Sequence, residues 1–425
     1  MVSSTDITAN LSELSISSDI TSTLHLEVRL KKGASKAEVE KHKETILNCI
    51  NSVDNVYNWR SFDLSKHELF ESIDQVLVGC QNTPDGQKIE SDKIEISSSN
   101  VHIYSVRDEE AMATSISTDD SEESAVGSHH WILPCREFDD IWENLVFDDN
   151  IKNELLSFVY ALLKLSDRGA NSSVLSVNRM VLLHGPPGTG KTSLCKALAQ
   201  RLAIRFSQRY KRSIFIEVNS HSLFSKWFSE SGKLIHKLFE QIEECASDSN
   251  QLVFVLIDEV ESLALNRART CTKNEPSDGL RSVNAVLTQM DKIRKYRNVL
   301  VLTTSNITDA LDEAFVDRAD VNRYVGNPSA YAIYSILITA VKELQRVNLV
   351  DPSVILNPVS AHANFNPQSQ RLLDLSSRCI GWSGRTIRKL PVLAYSKLAK
   401  DHLSMEDFLV LLELAIMEKQ KSKSN

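Results

Sequence analysis

From Trp131 onward the chain is dense in apolar residues, and short runs of them recur at regular distances. They fall at 181–184, 213–219 (Ser-Ile-Phe-Ile-Glu-Val-Asn), 252–257 (Leu-Val-Phe-Val-Leu-Ile), 299–304 (Val-Leu-Val-Leu-Thr-Thr) and 321–325. Near-continuous apolar strands separated by helical patterns predict a parallel sheet covered by helices on both faces. After Ser329 the pattern turns helical and closes in a lysine-rich tail, which predicts a separate small helical lid. Upstream the pattern differs. Leu24, Leu26, Val28 and Leu30 alternate with His25, Glu27 and Arg29, the signature of a strand buried on one face. Ser35 with Glu38 three positions on reads as a capping box for a helix to about Ile50. Ile94-Glu95-Ile96 and Val101-His102-Ile103 read as the two arms of a hairpin.

These patterns divide the chain into a polar, disordered 1–21, a small α+β domain over 22–106, a linker over 107–130, a large α/β domain over 131–327 and a helical lid over 328–425. The linker is predicted to be flexible because Arg107 to Glu123 carries seven acids against one base and few large apolar residues. Composition changes little in this picture. Hydrophobic residues make up 42% and charged residues 24% of the 425, as in ordinary globular proteins. The net charge of −8 gives no overall nucleic-acid footprint, and no apolar run reaches the length of a membrane span. The N-terminus lacks the apolar core of a signal peptide. The seven cysteines are scattered, with no CxxC pair, which predicts reduced thiols in cytosol or nucleus. The expectation is a soluble intracellular protein without direct membrane or nucleic-acid contacts.

Chemistry enters at the first of the apolar runs. Met180 to His184 leads into Gly185-Pro186-Pro187-Gly188-Thr189-Gly190-Lys191-Thr192, and a helical pattern with Leu194, Ala197, Leu198 and Leu202 follows. Strand, glycine-rich loop and helix in that order make a phosphate-binding P-loop. Glycines let successive backbone N–H groups converge on phosphate oxygens, and the helix N-terminus adds its positive dipole end. Lys191 is placed to reach the β- and γ-phosphates, and the Thr192 hydroxyl to ligate Mg²⁺. The bland alternative, an accidental glycine turn, does not explain the flanking strand and helix.

The run Val253 to Ile257 ends in Asp258-Glu259, which sets two carboxylates at the carboxyl edge of the sheet, where such folds bind ligands. Asp258 is expected to hold Mg²⁺, in part through water, and Glu259 to act as general base on the attacking water. The next strand ends Thr303-Thr304-Ser305-Asn306, and the Asn306 amide is placed to touch both γ-phosphate and water. A turn-forming asparagine is the plainer reading of that position. His184 reads as a strand-end residue, and no HExxH pair suggests a protease.

GPPGTGKT, the strand ending in Asp-Glu, the Thr-Thr-Ser-Asn strand end and Gly381-Trp382-Ser383-Gly384-Arg385 together resemble an AAA+ ATPase. More narrowly, the stretch 219–233, Asp258 to Leu263 and Ala314 to Asp320 resemble the family of pachytene checkpoint protein 2, also called thyroid receptor-interacting protein. The resemblance runs from about Trp131 to the C-terminus and reaches the N-terminal domain through Val101–Ile103. It implies an AAA+ module, a five-stranded parallel sheet with helices on both faces and a small lid, behind an α+β domain that receives substrate or adaptor. It implies ATP and Mg²⁺ as ligands. Lys226-Trp227-Phe228 stand where such proteins carry a substrate-gripping pore loop, though a tryptophan is more often simply core. Arg318 matches the arginine finger that acts on a neighbouring subunit, here on a shortened Asp317-Arg318 segment; the plainer reading pairs it with Asp317 or Asp320. Arg385 matches the lid arginine that contacts the γ-phosphate, and Trp382 is assigned to packing. The resemblance further implies a homo-hexamer that converts HORMA-domain proteins between closed and open forms, fed by a HORMA-like adaptor, at meiotic chromosome axes and in the spindle checkpoint, in nucleus and cytoplasm. The rival expectation is an AAA+ binding switch that hydrolyses ATP without threading a chain.

Overall fold

In the computed structural model the alternating segment Leu24–Leu30 forms strand β1, the middle of a three-stranded sheet. Described are residues 24–51, 56–61, 71–80, 83, 85–89, 100–116, 125–171, 174–219, 231–261, 277–307, 313–356 and 366–424. The chain divides into two units, Met1–Tyr104 and Ser105–Asn425. In the first, helices α1 (Lys36–Glu40) and α2 (Lys43–Asn51) precede β2 (Ile73–Cys80) and β3 (Val101–Tyr104). Strand β2 pairs antiparallel and β3 parallel to β1.

Two expectations change here. Both faces of β1 are buried, not one: His25 and Glu27 are as enclosed as Leu24 and Leu26. The polar face is tolerated because the rings of His25 and His102 stack 5.2 Å apart and share a hydrogen bond of 3.0 Å. The capping box does not form, since the Ser35 side chain caps nothing, and the helix breaks at Lys41–His42 into two. There Lys41 N–H and His42 N–H donate to carbonyls three residues back, a tighter turn that interrupts the α-helical ladder. Of the expected hairpin, the arm Val101–Ile103 lies in β3, which pairs parallel with β1, and the arm 94–96 lies outside the described residues.

The second unit carries β4 (Met112–Ile116), β5 (Ala125–Leu133), α3 (Ile141–Asn144), α4 (Ile151–Asp167), β6 (Met180–His184), α5 (Lys191–Arg205), β7 (Arg212–Val218), α6 (Ser231–Ser247), β8 (Gln251–Ile257), α7 (Ser277–Ile293), β9 (Val299–Ser305), α8 (Glu313–Val316) and β10 (Val321–Tyr324). All five apolar runs are strands, and they form the parallel part of one sheet in the order β10-β6-β9-β8-β7. Every residue of β8 and β9 is buried, as central parallel strands require. One face packs on α6 and α7 through Val253, Val255, Leu238, Ile242 and Val286.

The acidic stretch is not simply a tether. Residues 112–116 and 125–133 extend the sheet by two antiparallel strands, with Trp131 opposite Phe215 of β7. Backbone pairing and the Trp131 packing on Phe138 and Phe215, at 5.4 and 5.8 Å, hold them in place. Small and polar residues interrupt the apolar ones in Met-Ala-Thr-Ser-Ile and Ala-Val-Gly-Ser-His-His-Trp-Ile-Leu, so no clean alternation signalled a strand.

The lid consists of α9 (Ala330–Arg346), α10 (Pro367–Ser377), α11 (Gly384–Ser396) and α12 (Met405–Ser424) around Leu337, Leu375, Ile387, Phe408 and Leu412. Asn366, followed by Pro367, and Ser383 cap their helices by accepting from Ser369 and Thr386 N–H. Trp382 is buried in this core, which is the packing role assigned to it.

Candidate ATP site at the carboxyl edge of the sheet

Strand order decides which residues meet. Strand β9 lies between β6 and β8, with Leu183 beside Thr304, and Ile257 and Leu182 both beside Thr303. The P-loop after β6 and the carboxylates after β8 therefore flank the Thr304–Asn306 strand end.

The P-loop turns sharply because three of its residues adopt backbone angles that suit glycine. Gly185, Gly188 and Gly190 have φ of 141°, 78° and 99°. A Cβ on Gly185 would stand 2.3 Å from the Val325 carbonyl oxygen, a backbone atom that cannot yield. At Gly188 a Cβ would meet Ser383 Oγ at 2.9 Å, because the lid approaches there: Arg385 N–H donates to Gly188 O at 3.0 Å. The Thr189 hydroxyl ties the loop by donating to Pro186 O at 3.0 Å.

Lys191 opens α5 and is buried, its ammonium donating to the Gly185 and Pro186 carbonyls at 2.8 Å each. Burial draws its pKa down, and the carboxylates of Glu261, Asp258 and Glu259 oppose that, while the Arg385 charge adds to it. The guanidinium of Arg385 is thus within electrostatic range of Lys191. The Thr192 hydroxyl donates to Asp258, with oxygens 3.0 and 3.2 Å away. A hydroxyl and a carboxylate side by side form a hard oxygen pair that fits Mg²⁺, which usually takes one or two protein ligands and completes its shell with phosphate and water.

Glu259 is held in a left-handed backbone conformation, φ 56°, uncommon for a side chain with a Cβ. Such a conformation costs on the order of 1–3 kcal/mol and persists only where neighbours impose it. Here Thr304 imposes it. Its hydroxyl accepts the Glu259 N–H at 3.1 Å and donates to Asp258, and its carbonyl accepts the Val260 N–H at 2.9 Å. Asn306 completes the group: its amide donates to Glu259 Oε1 at 3.3 Å, and its N–H to Glu261 Oε1 at 3.0 Å. Lys191, Thr192, Asp258, Glu259 and Asn306 are therefore one cluster, with Arg385 at its lid side. Thr304 and Glu261 belong to it too, and the sequence reading assigned them no role. Thr304 stood in the quoted strand end, and a hydroxyl residue facing an Asp-Glu across adjacent strands was the available signal.

Arg318 is not part of the cluster. Its Nε and one terminal nitrogen donate to the two Asp291 oxygens at 3.0 and 2.8 Å, and the other nitrogen to Ala314 O at 2.7 Å. The plainer reading had the wrong partner. Asp320 instead accepts N–H groups of Asn178 and Met180 and anchors the start of β6. Lys226, Trp227 and Phe228 lie outside the described residues.

The model of the ATPase family associated with various cellular activities matches residues 181–327 of this chain. The Pch2 N-terminal domain model matches 20–106, and the TRIP13-like AAA+ lid model 329–420. The human pachytene checkpoint protein 2 homolog is 43% identical over 404 residues, covering 93% of this chain and 92% of its own length. The chain belongs to the pachytene checkpoint protein 2 family. The zebrafish (Danio rerio) member is 39% identical over 412 residues, with 95% of each chain covered. The solved structure of PCH-2 from C. elegans superposes with a TM-score of 0.82 at 40% identity, over 94% of this chain and 99% of that one. A bacterial Trip13, solved in an E. coli HORMA:CdnC:Trip13 complex, shares the fold at 19% identity, TM-score 0.51, over 67% of this chain and 93% of its own. This member of the family is an AAA+ ATPase: the P-loop and Asp258-Glu259 lie within the AAA match, and Arg385 within the lid match.

Proposed function

We propose that this ATPase is a hexameric remodeller that converts HORMA-domain proteins between closed and open forms, delivered by a HORMA-like adaptor to the N-terminal domain. The observation that carries the proposal is family membership along nearly the whole chain, from the Pch2-type N-terminal domain to the TRIP13-like lid. The bacterial neighbour is itself named as part of a HORMA complex. Action at meiotic chromosome axes and in the spindle checkpoint, in nucleus and cytoplasm, belongs to the same proposal.

In this reading ATP is the substrate of the cluster. Lys191 exchanges its two carbonyl partners for phosphate oxygens, which return stronger charge-assisted hydrogen bonds. Thr192 and Asp258 would hold Mg²⁺, which would supply positive charge to neutralise the phosphates. Glu259, its carboxylate turned by Asn306 and its backbone fixed by Thr304, takes the proton from the attacking water. Arg385 on the lid senses the γ-phosphate of its own subunit. Arg318 serves a neighbouring subunit. Its pair with Asp291 is partly open to solvent, the side chains 30% and 52% exposed, and such pairs are worth about 0–1 kcal/mol. A triphosphate, with several negative charges, can therefore draw the guanidinium away. Lys226, Trp227 and Phe228 grip the threaded chain, since an aromatic offers apolar contact to any sequence.

The test is conversion of a purified HORMA-domain protein by the Trp227→Ala variant in the presence of ATP. ATP binding and oligomerisation are expected to survive while conversion and substrate-stimulated hydrolysis are lost. Conversion at the wild-type rate would remove the threading mechanism and favour a binding switch.

A further inference from the structure

At the amino-terminal end of the same strands, away from the P-loop, the turn after α7 and the residue preceding β6 enclose a cavity of about 350 Å³. Its walls carry Arg179, Arg294, Lys295 and Arg297, with Asp291 as their one carboxylate and Ser166 as a hydroxyl. Two of these charged groups are paired outside the cavity. While Arg318 stays paired with it, as in the absence of ATP, Asp291 is neutralised by that two-pronged pair. Lys295 is paired with Glu243 at 3.0 Å. Arg179 is buried, and its three nitrogens donate to neutral acceptors: Val299 O at 3.1 Å, Ser166 Oγ at 2.9 Å and Arg294 O. Arg294 and Arg297 are exposed, and neither side chain has a hydrogen bond or ion pair among the described residues.

Three guanidinium groups thus share one cavity without a free carboxylate between them. Their mutual repulsion shows at Arg179, where burial first, and then the charges of Arg294 and Arg297, disfavour the charged form against the pull of Asp320. Arg297 lies over Gly169, one of its nitrogens 3.2 Å from where a Cβ there would stand. Two unengaged guanidinium forks beside a buried third suit the geometry of phosphate oxygens, which Arg binds two at a time. The volume lies at the small end of ligand pockets.

We infer that this cavity binds a small anion carrying two or more phosphate groups, at a site distinct from the P-loop. Arg294 and Arg297 supply the binding forks, Arg179 the fixed positive floor, and Ser166 a hydroxyl.

The experiment titrates inorganic tripolyphosphate into full-length protein carrying Lys191→Ala, which disables the P-loop, and follows heat of binding at fixed salt. One saturable site per chain is expected to remain. Adding Arg294→Ala and Arg297→Ala should weaken it by about tenfold or more, the loss expected for charge-assisted hydrogen bonds. Both side chains are exposed, so the folded state should survive, and an unchanged melting profile checks this. If the double substitution lowers the melting temperature, the single Arg294→Ala variant is titrated instead and should still bind several-fold more weakly. Loss of all binding with Lys191→Ala alone would assign the anion to the P-loop and overturn the inference. So would equal affinity with and without the two arginines, or binding of an acidic peptide in preference to tripolyphosphate.

Discussion

The cluster at the sheet edge and the Arg318 corner are built in opposite ways. At the edge, Lys191, Thr192, Asp258, Glu259, Thr304 and Asn306 hold one another, and several of their polar groups are buried or half-buried. At the corner, Arg318 is held by one exposed carboxylate and one carbonyl. Groups that act within their own chain are fixed in place before ATP arrives, at the cost of a strained Glu259. On the proposed reading, a group meant for a neighbour's active site gains nothing from rigid attachment, and Arg318 is kept on a bond weak enough to exchange. Substitutions at the edge should therefore cost far more than substitutions at the corner's carboxylate.

The largest effect is expected for Lys191→Ala. It removes the buried cation that three carboxylates and two carbonyls surround, and ATP binding, followed with a fluorescent analogue, should be lost. Near-wild-type affinity would show that the cluster does not carry the phosphates. Glu259→Gln comes next. It should bind ATP normally and turn over at least about a hundredfold more slowly, the usual cost of losing a general base. Because the amide can still accept from Asn306, unchanged turnover would mean that another group activates the water.

Thr304→Val sharpens the contrast further, since it removes one hydroxyl and no charge. The Glu259 N–H would lose its acceptor and Asp258 a donor, which costs about 1–3 kcal/mol and should lower kcat by about tenfold or more. Thr304→Ser should restore most of it. Equal loss in both variants would point to packing, not to the hydroxyl. The smallest effect is expected for Asp291→Ala. Stability should change by less than about 1 kcal/mol, and ATPase should rise by no more than about fivefold as Arg318 is released. A large drop in ATPase would mean that Asp291 positions the finger and does not merely hold it.

What was legible in the sequence follows from the range of each interaction. All five parallel strands could be read because burial on both faces makes them apolar throughout, and the P-loop because backbone geometry demands glycine at set positions. The antiparallel strands 112–116 and 125–133 escaped notice, since hydrogen bonding to β7 and to each other, not side-chain pattern, specifies them. The one-faced reading of β1 failed at His25, whose partner His102 lies 77 positions away. Within the site, the motif residues were visible as motifs. The contacts of Thr304 with Glu259 and of Arg318 with Asp291 cross 45 and 27 positions, and only strand order and helix placement bring them together.

The division between the two regions rests on Arg318 acting outside its own chain, and subunit mixing tests that most directly. Arg318→Ala chains keep an intact sheet edge but offer no finger, whereas Lys191→Ala chains keep the finger but lack the phosphate cation. Each alone should be close to inactive. Mixed under conditions of subunit exchange, they should form some interfaces that carry both groups, and ATPase should return in proportion to those interfaces. If exchange is demonstrated and no activity returns at any ratio, Arg318 does not act on its neighbour, and its pair with Asp291 is its final position.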